Sequence, residues 1–371
     1  MEQSLACKEK FSSDRRWNLV RDQSNYGQAG EWGGEKNKRG GKSGWIGGVL
    51  FILLIFMAGC TQISGTLLPR EKEVLLVGDV VRQEVRFYDL DSFKSMGSLH
   101  VKNYRFSGFE LLDPNRLFFY GSNEKKILLY DLVKGSVTEE ILVDEGVKDI
   151  MKVDRNFFRL LLSDGKKVAN LSFPEGRVEV IKTLPFTARK FIPSEDHRVL
   201  YFLHEGKDLL SKVNMESGKV LFTQEVVANA AAGWENPSTH ELWIGGHGTV
   251  QEMVTSIARY DAETGRFLGT LTGGIMPIRF YADKEHERVY VISHGSNLVQ
   301  SYRFSGEKLN EADTGLNPYG IDADKERLYI ANYDSNTVDI FSKDTLKEEG
   351  EFYVGDDPLL IRYRGKGGTD E

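Results

Sequence analysis

From residue 73 onward the chain is organised by short apolar runs rather than by helical stripes. Three-residue anchors recur about every 42 residues, a spacing read as structural repetition: Leu75-Leu76-Val77, Leu117-Phe118-Phe119, Phe158-Arg159-Leu160, Leu200-Tyr201-Phe202, Leu242-Trp243-Ile244, Val289-Tyr290-Val291 and Leu328-Tyr329-Ile330. A second landmark keeps the same beat, at Tyr88-Asp89, Tyr130-Asp131, Leu171-Ser172, Val213-Asn214, Tyr260-Asp261, Tyr302-Arg303 and Phe341-Ser342. Within each unit the runs span four to seven residues rich in Val, Ile, Leu, Tyr and Phe, separated by Gly, Asn, Asp and Ser. That is the pattern of strands and tight turns. Asn214-Met-Glu-Ser-Gly218 and Asp261-Ala-Glu-Thr-Gly265 have the composition of hairpin turns, with Gly where a positive φ is needed and Asx able to bond the backbone two residues on.

Four strands in roughly 40 residues make one blade of a β-propeller, and a blade cannot bury both faces alone. The expected fold is therefore all-β, a seven-bladed propeller with blades near 73–103, 115–143, 156–183, 197–227, 239–272, 286–314 and 326–364. In the later units a Pro-led strand precedes the anchor, as in Pro277-Ile-Arg-Phe-Tyr-Ala-Asp283 and Pro318-Tyr-Gly-Ile-Asp-Ala-Asp324. The first unit lacks one, and a spare, Pro358-Leu-Leu-Ile-Arg-Tyr-Arg364, follows the last. This C-terminal segment is expected to cross into the first blade and close the ring, removing open sheet edges.

Leu328-Tyr-Ile-Ala-Asn-Tyr-Asp-Ser-Asn-Thr-Val-Asp-Ile340, followed by Tyr353-Val-Gly-Asp-Asp-Pro358, resembles the YVTN-type β-propeller repeat. The resemblance is good in units five to seven and looser in units two to four. It implies a propeller of surface-layer, secreted, lipoprotein or lactonase-like settings, and the repeat, being a folding motif, identifies no activity.

Ahead of the repeats, residues 1–44 are polar and Gly-rich and are expected to be disordered. Residues 45–59, Trp45 to Gly59, are apolar or small and follow Lys36, Lys38, Arg39 and Lys42, the layout of an export signal. The stretch is short for a membrane span of about 20 residues. Met57-Ala58-Gly59-Cys60 resembles a bacterial lipobox, with Met where Leu is commonest. Cys60 is then the lipidation site and 60–72 the tether, with two or three acyl chains holding the protein to a membrane on its extracytoplasmic side. An uncleaved signal anchor would use nearly the same residues.

Composition adds two constraints. The two cysteines, Cys7 and Cys60, leave no thiol for a disulfide in a chain processed at Cys60. Of the 48 Lys and Arg and the 55 Asp and Glu, nine and six respectively precede Cys60, so the exported part carries a net charge of about −10. That argues against nucleic acid as a partner. No cofactor is expected, and the domain is read as a monomer.

Candidate chemistry falls in loops expected at one mouth of the channel. His247 and His294 each lie four residues after the central anchor aromatics Trp243 and Tyr290, and His204 lies one position earlier in the preceding unit. Tyr333 takes the equivalent place in the last unit. Two readings are open for these residues, a ligand or metal site and simple turn shaping. Arg189 and Arg279 look matched in register on inner strands and are candidates for binding an anion in the channel, with Arg105 and Arg362 on comparable segments. No Gly-x-Ser-x-Gly, His-Glu-x-x-His or Cys-x-x-Cys-His motif is present. The sequence thus favours a module that binds a protein or small molecule at the cell surface. The alternative is a lactonase-like hydrolase using His and Arg at the channel mouth.

Overall fold

The second strand of each blade is buried along its length save for one or both end residues in six of the seven, and this is what forces the sheets into a ring. In a strand, successive side chains point to opposite faces, so a run such as Val74-Leu-Leu-Val77 needs an apolar neighbour on each side. Val74 and Leu76 pack with Phe109, Leu117 and Phe119 of the second blade. Leu75 and Val77 pack with Tyr329, Ala331 and Ile340 of the seventh. Likewise Leu200 and Phe202 meet Leu161 and Val168 on one side, and Tyr201 and Leu203 meet Ile244 on the other. Each pair of neighbouring blades shares one such cluster, and the cluster joining blades 7 and 1 exists only because the ring closes.

The computed structural model describes residues 62–195 and 197–367, all-β in seven antiparallel sheets. The sequence analysis expected seven four-stranded blades closed by the C-terminal strand, and that architecture is present. The inner strands are Leu360–Arg364 for blade 1, then Gly108–Asp113, Val147–Lys152, Ala188–Pro193, Ala230–Asn236, Pro277–Asp283 and Pro318–Ala323 for blades 2 to 7. Those of blades 2 to 7 lie outside the expected blade ranges, although the Pro-led segments of blades 6 and 7 are expected as strands. Those of blades 2 to 5 lack the leading Pro, so that signal does not mark them. The last blade ends at Tyr353, and residues 360–364 belong to blade 1. Cys60 and the expected signal at 45–59 lie outside the described residues. The first described part of the expected tether, Gln62–Gly65, is a fifth, outermost strand of blade 1, paired with Leu99–Lys102.

The hairpin turns form as their composition requires. Asp131 Oδ1 accepts the Val133 and Lys134 N–H groups at 2.9 and 2.8 Å, and Asp261 Oδ1 accepts Glu263 and Thr264 N–H at 3.1 and 2.7 Å. Asn214 does the same for Glu216 and Ser217. Gly135, Gly218 and Gly265 complete these turns at φ of 69°, 75° and 77°.

Ring closure rests on two things. Leu360–Arg364 pairs antiparallel with Val74–Gly78, and Leu359 N–H donates to Gly78 O at 3.1 Å. Arg364, fully buried, donates to the carbonyls of Pro69 at 2.9 Å and Lys72 at 3.0 Å, and to that of Pro114 in blade 2. A buried guanidinium whose Nε and Nη1 are held by carbonyls from both sides of the seam is costly to remove. We therefore expect Arg364→Ala to lower unfolding free energy by about 2–4 kcal/mol, and a chain ending at residue 356 to lose far more. Urea unfolding followed by tryptophan fluorescence measures both, and an unchanged midpoint in the truncated chain would contradict closure by this strand.

Candidate ligand site at the channel mouth

One face of the ring carries the loops between second and third strands together with the links from one blade to the next. Three of those links share a pattern, Gly274-Ile-Met-Pro277, Gly315-Leu-Asn-Pro318 and Gly355-Asp-Asp-Pro358, in which the residue before Pro has a left-handed backbone: φ is 58° at Met276, 56° at Asn317 and 54° at Asp357. The third residue of the third strand in the adjoining blade holds each link. Gln300 Oε1 accepts Gly274 N–H at 3.0 Å, Asp339 Oδ2 accepts Gly315 N–H at 2.8 Å, and the Arg86 guanidinium donates to Val354 O and Asp356 O, both at 2.9 Å. A carboxylate, an amide and a guanidinium thus perform one structural task, each matched to the backbone group it meets.

The same face places His247, His294 and Tyr333. His247 N–H donates to Asn229 O, Val254 N–H to His247 O, Met276 N–H to Val254 O and His294 N–H to Met276 O, so main-chain bonds run from blade 5 into blade 6. The extra residues of the 247–255 loop, which lengthen the fifth repeat, make this link possible. The two imidazoles meet edge to face, with ring centroids 5.1 Å apart. His294 is buried, and burial, reinforced by its neighbour His247, pulls its pKa down to about 4 against a hydrogen bond with Asn317. Tyr333 follows in blade 7, where its N–H donates to Asn317 O at 2.9 Å.

His204 does not join them. It stacks on Phe186 at 4.1 Å and its Nε2 lies 2.8 Å from Ser211 Oγ, which in turn lies 2.7 Å from Thr223 Oγ1. Although this looks like a His–Ser pair, Ser211 is completely buried, so a substrate has no access to its hydroxyl. Among the described residues no group of three or more His, Cys, Asp or Glu could hold a metal ion. A neutral imidazole of pKa near 4 is also a weak general base at neutral pH.

Charged residues converge instead on the channel wall. Inner strands leave one edge of N–H groups unpaired, and such groups need an acceptor when water is scarce. Asp149 of blade 3 accepts Phe191 N–H of blade 4 at 3.1 Å, and Asp322 of blade 7 accepts Tyr363 N–H of blade 1 at 2.7 Å. Burial raises the pKa of both carboxyls. Glu110 of blade 2 is engaged by Arg362 of blade 1 in a two-pronged ion pair, with Nε to Oε2 at 2.8 Å.

Arg189, Lys190 and Arg279 complete the wall. The expected match of Arg189 with Arg279 is off by one residue. Each strand has a bulge near its start, so Lys190 pairs with Leu203 as Arg279 pairs with Ile292, and Arg189 is the bulged residue. The sequence carries no mark of this, because a bulge changes the count without changing the composition. Arg105 is not on an inner strand at all; it is exposed in the 103–107 link. Arg279 lies over the ring of Tyr319, 5.2 Å from its centroid. Burial lowers the pKa of Arg189, and burial followed by repulsion from Arg279 brings that of Lys190 down to about 8. Asp149 opposes the effect on Lys190 only in part. Sequence reasoning missed Lys190, Asp149, Asp322 and Tyr319, whose shared location appears only when the strands are ranged around an axis.

On the opposite face, Ser238, His286, Arg288, Arg303 and Glu307 line a shallow depression between blades 5 and 6. Three of its lining side chains already have partners, Arg288 with Asp344, Arg303 with Glu307 and His286 with Asp283, each at 2.9 Å.

No protein-family model matches this chain, and no curated protein matches it. Solved structures do. A functionally unknown protein from Desulfotomaculum acetoxidans superposes with a TM-score of 0.62 at 11% identity, covering 79% of this chain and 99% of the other. Hydrazine synthase from Kuenenia stuttgartiensis gives 0.58 at 15% identity over 75% and 94%. The computationally designed protein Ika8 gives 0.56 at 10% identity over 83% and 95%. At these identities the likeness establishes the propeller fold and nothing about activity.

Asp339 supplies a pH test of the mouth. Burial, aided by Glu351 and Glu348, raises its carboxyl to about 6 despite the Gly315 N–H. The folded state therefore holds a proton that the unfolded state has released, and stability falls as pH rises from about 4 through 6. Asp339→Asn keeps an acceptor for Gly315 and removes the buried charge. Its midpoint of urea unfolding is expected to exceed that of the unaltered protein at pH 7.5, by the equivalent of about 1–3 kcal/mol, and to coincide with it near pH 4. A gain of equal size at both pH values would contradict the assignment.

Proposed function

We propose that this protein is a lipid-anchored, extracytoplasmic propeller of the YVTN type that binds a ligand at the channel mouth without transforming it. The observation that carries this reading is the channel wall, where Arg189, Lys190 and Arg279 converge and none has a carboxylate within ion-pair distance among the described residues. Cations gathered in a half-buried channel attract a ligand, whereas a hydrolase needs a base or nucleophile that the substrate can reach. His294, held neutral with a pKa near 4, and Ser211, sealed between blades, supply neither. Cys60, preceded by Met57-Ala58-Gly59, supports attachment to a membrane through acyl chains, and two or more chains make such anchoring durable.

Two measurements test the proposal. The intact mass of protein purified from membranes is expected to correspond to a chain beginning at an acylated Cys60. Cys60→Ala should leave the precursor unprocessed, and an identical unacylated mass in both would refute the anchor. For binding, a photo-crosslinking residue placed at position 333 in the full chain should capture partners or small molecules from cell-surface extract well above the same residue at position 267, on an exposed outer strand. Equal capture at the two positions would contradict a mouth-directed binding role.

A further inference from the structure

We propose that the channel holds a preformed oxyanion site, built by Arg189, Lys190, Arg279 and Tyr319, for a small molecule bearing at least two negative charges on phosphoryl or carboxylate oxygens. The inference rests on the binding role proposed above and names the chemistry of its ligand. It begins with a count of charges along the wall. Four cations, Arg189, Lys190, Arg279 and Arg362, lie within electrostatic reach of Glu110, Asp149 and Asp322 on the wall and of Glu205 and Asp208 near Arg189, yet only Glu110 makes an ion pair with one of them. Glu110 is taken by Arg362. Asp149 and Asp322 each accept an edge N–H from the next blade, Phe191 and Tyr363. That leaves Arg189, Lys190 and Arg279, from blades 4 and 6, near one another with no direct ion pair, their charge only partly offset by Asp149, Glu205 and Asp208.

Such a grouping is unfavourable in the empty protein. Like charges brought together in a medium less polar than water repel strongly, and at Lys190, whose affinity for its proton is lowered first by burial, repulsion from Arg279, Arg189 and Arg362 lowers it further against the opposing pull of Asp149. Nothing in blade packing requires it, since the equivalent inner-strand position is Gly108 in blade 2, Ala232 in blade 5 and Gly320 in blade 7. An anion of two or more charges turns the same arrangement from repulsive to attractive. The three side chains also differ in the way oxyanion recognition uses: guanidinium forks bind two oxygens at once, while the ammonium is a point charge with freely turning donors. Tyr319, over whose ring Arg279 lies, keeps that fork from collapsing onto the wall.

The site is reachable yet not fully wet. Arg189, Lys190, Arg279, Asp149 and Tyr319 are all partly exposed, while burial is the leading cause of the shifts at Arg189, Lys190 and Asp149. A charged ligand entering there exchanges water for fixed donors with little rearrangement, because the strands bearing them are tied into closed sheets.

Isothermal titration of the full chain at constant ionic strength tests the inference, with inorganic phosphate, citrate and acetate as probes. Phosphate or citrate is expected to bind with a Kd below about 1 mM and at least tenfold more tightly than acetate. Phosphate the tighter would mark a phosphoryl ligand, citrate the tighter a polycarboxylate. Lys190→Gln and Arg279→Gln should each weaken the tighter probe by tenfold or more, while Lys182→Gln on the outer strand of blade 4's neighbour should not. Unfolding midpoints of the variants establish that they fold, and the relief of repulsion predicts that neither falls. Equal affinity for phosphate, citrate and acetate, or tight binding indifferent to Lys190 and Arg279, would overturn the oxyanion site. If the probes fail while crosslinking at position 333 still exceeds that at 267, the oxyanion inference falls and the binding role stands; if both fail, both fall.

Discussion

The two-sided burial of the second strand governs the rest of this molecule. Val74-Leu-Leu-Val77 and its counterparts put apolar side chains on both faces, so no blade is stable without a neighbour on each side. Seven blades satisfy that demand only by meeting end to end. The seam where they meet is made by Leu360–Arg364 against Val74–Gly78, with Arg364 drawing carbonyls from the N-terminal lead-in and from blade 2. Closure is therefore a condition for the core rather than a late addition to it.

Closure also creates the chemistry. A ring turns seven inner strands toward a common axis, where their unpaired N–H groups compete for acceptors. Asp149 and Asp322 answer that need for the strands that follow them, which fixes each carboxyl against a backbone N–H rather than against a cation. The cations Arg189, Lys190 and Arg279 are left without a direct ion pair, so the property that makes the channel a binding site follows from how its edges are capped. The histidines at the mouth serve differently. His247 and His294 face one another and sit on a main-chain relay that joins blade 5 to blade 6, and the low proton affinity of His294 suits a neutral, shape-defining contact better than acid–base work.

The repeat made the architecture readable from residues alone, because anchors such as Leu328-Tyr329-Ile330 and turns such as Asp261 to Gly265 carry strong local signals. The inner strands of blades 2 to 5 were less legible. Ala230-Ala-Ala-Gly-Trp-Glu-Asn236 has little β character, and its place is set by pairing with Glu241–Gly246. Register was harder still: the bulge that makes Lys190 and not Arg189 the counterpart of Arg279 depends on hydrogen bonding at the strand start. Arg105 misled because a charged residue in a link and one on an inner strand look alike until the links are placed. Charge convergence across blades 3, 4, 6 and 7 joins residues more than 150 positions apart, such as Asp149 and Asp322, and no local pattern encodes that.

Central to this account is the claim that ring closure gathers cations without a direct ion pair around Lys190. Titration of the lysine side chains by NMR, with Lys190 assigned by its absence in Lys190→Gln, tests that claim most directly. The account predicts a Lys190 ammonium that loses its proton near pH 8, below the ordinary lysine value of about 10.4, and that shifts upward when phosphate or citrate is added. A Lys190 titrating at the ordinary lysine value of about 10.4, and indifferent to either anion, would contradict it.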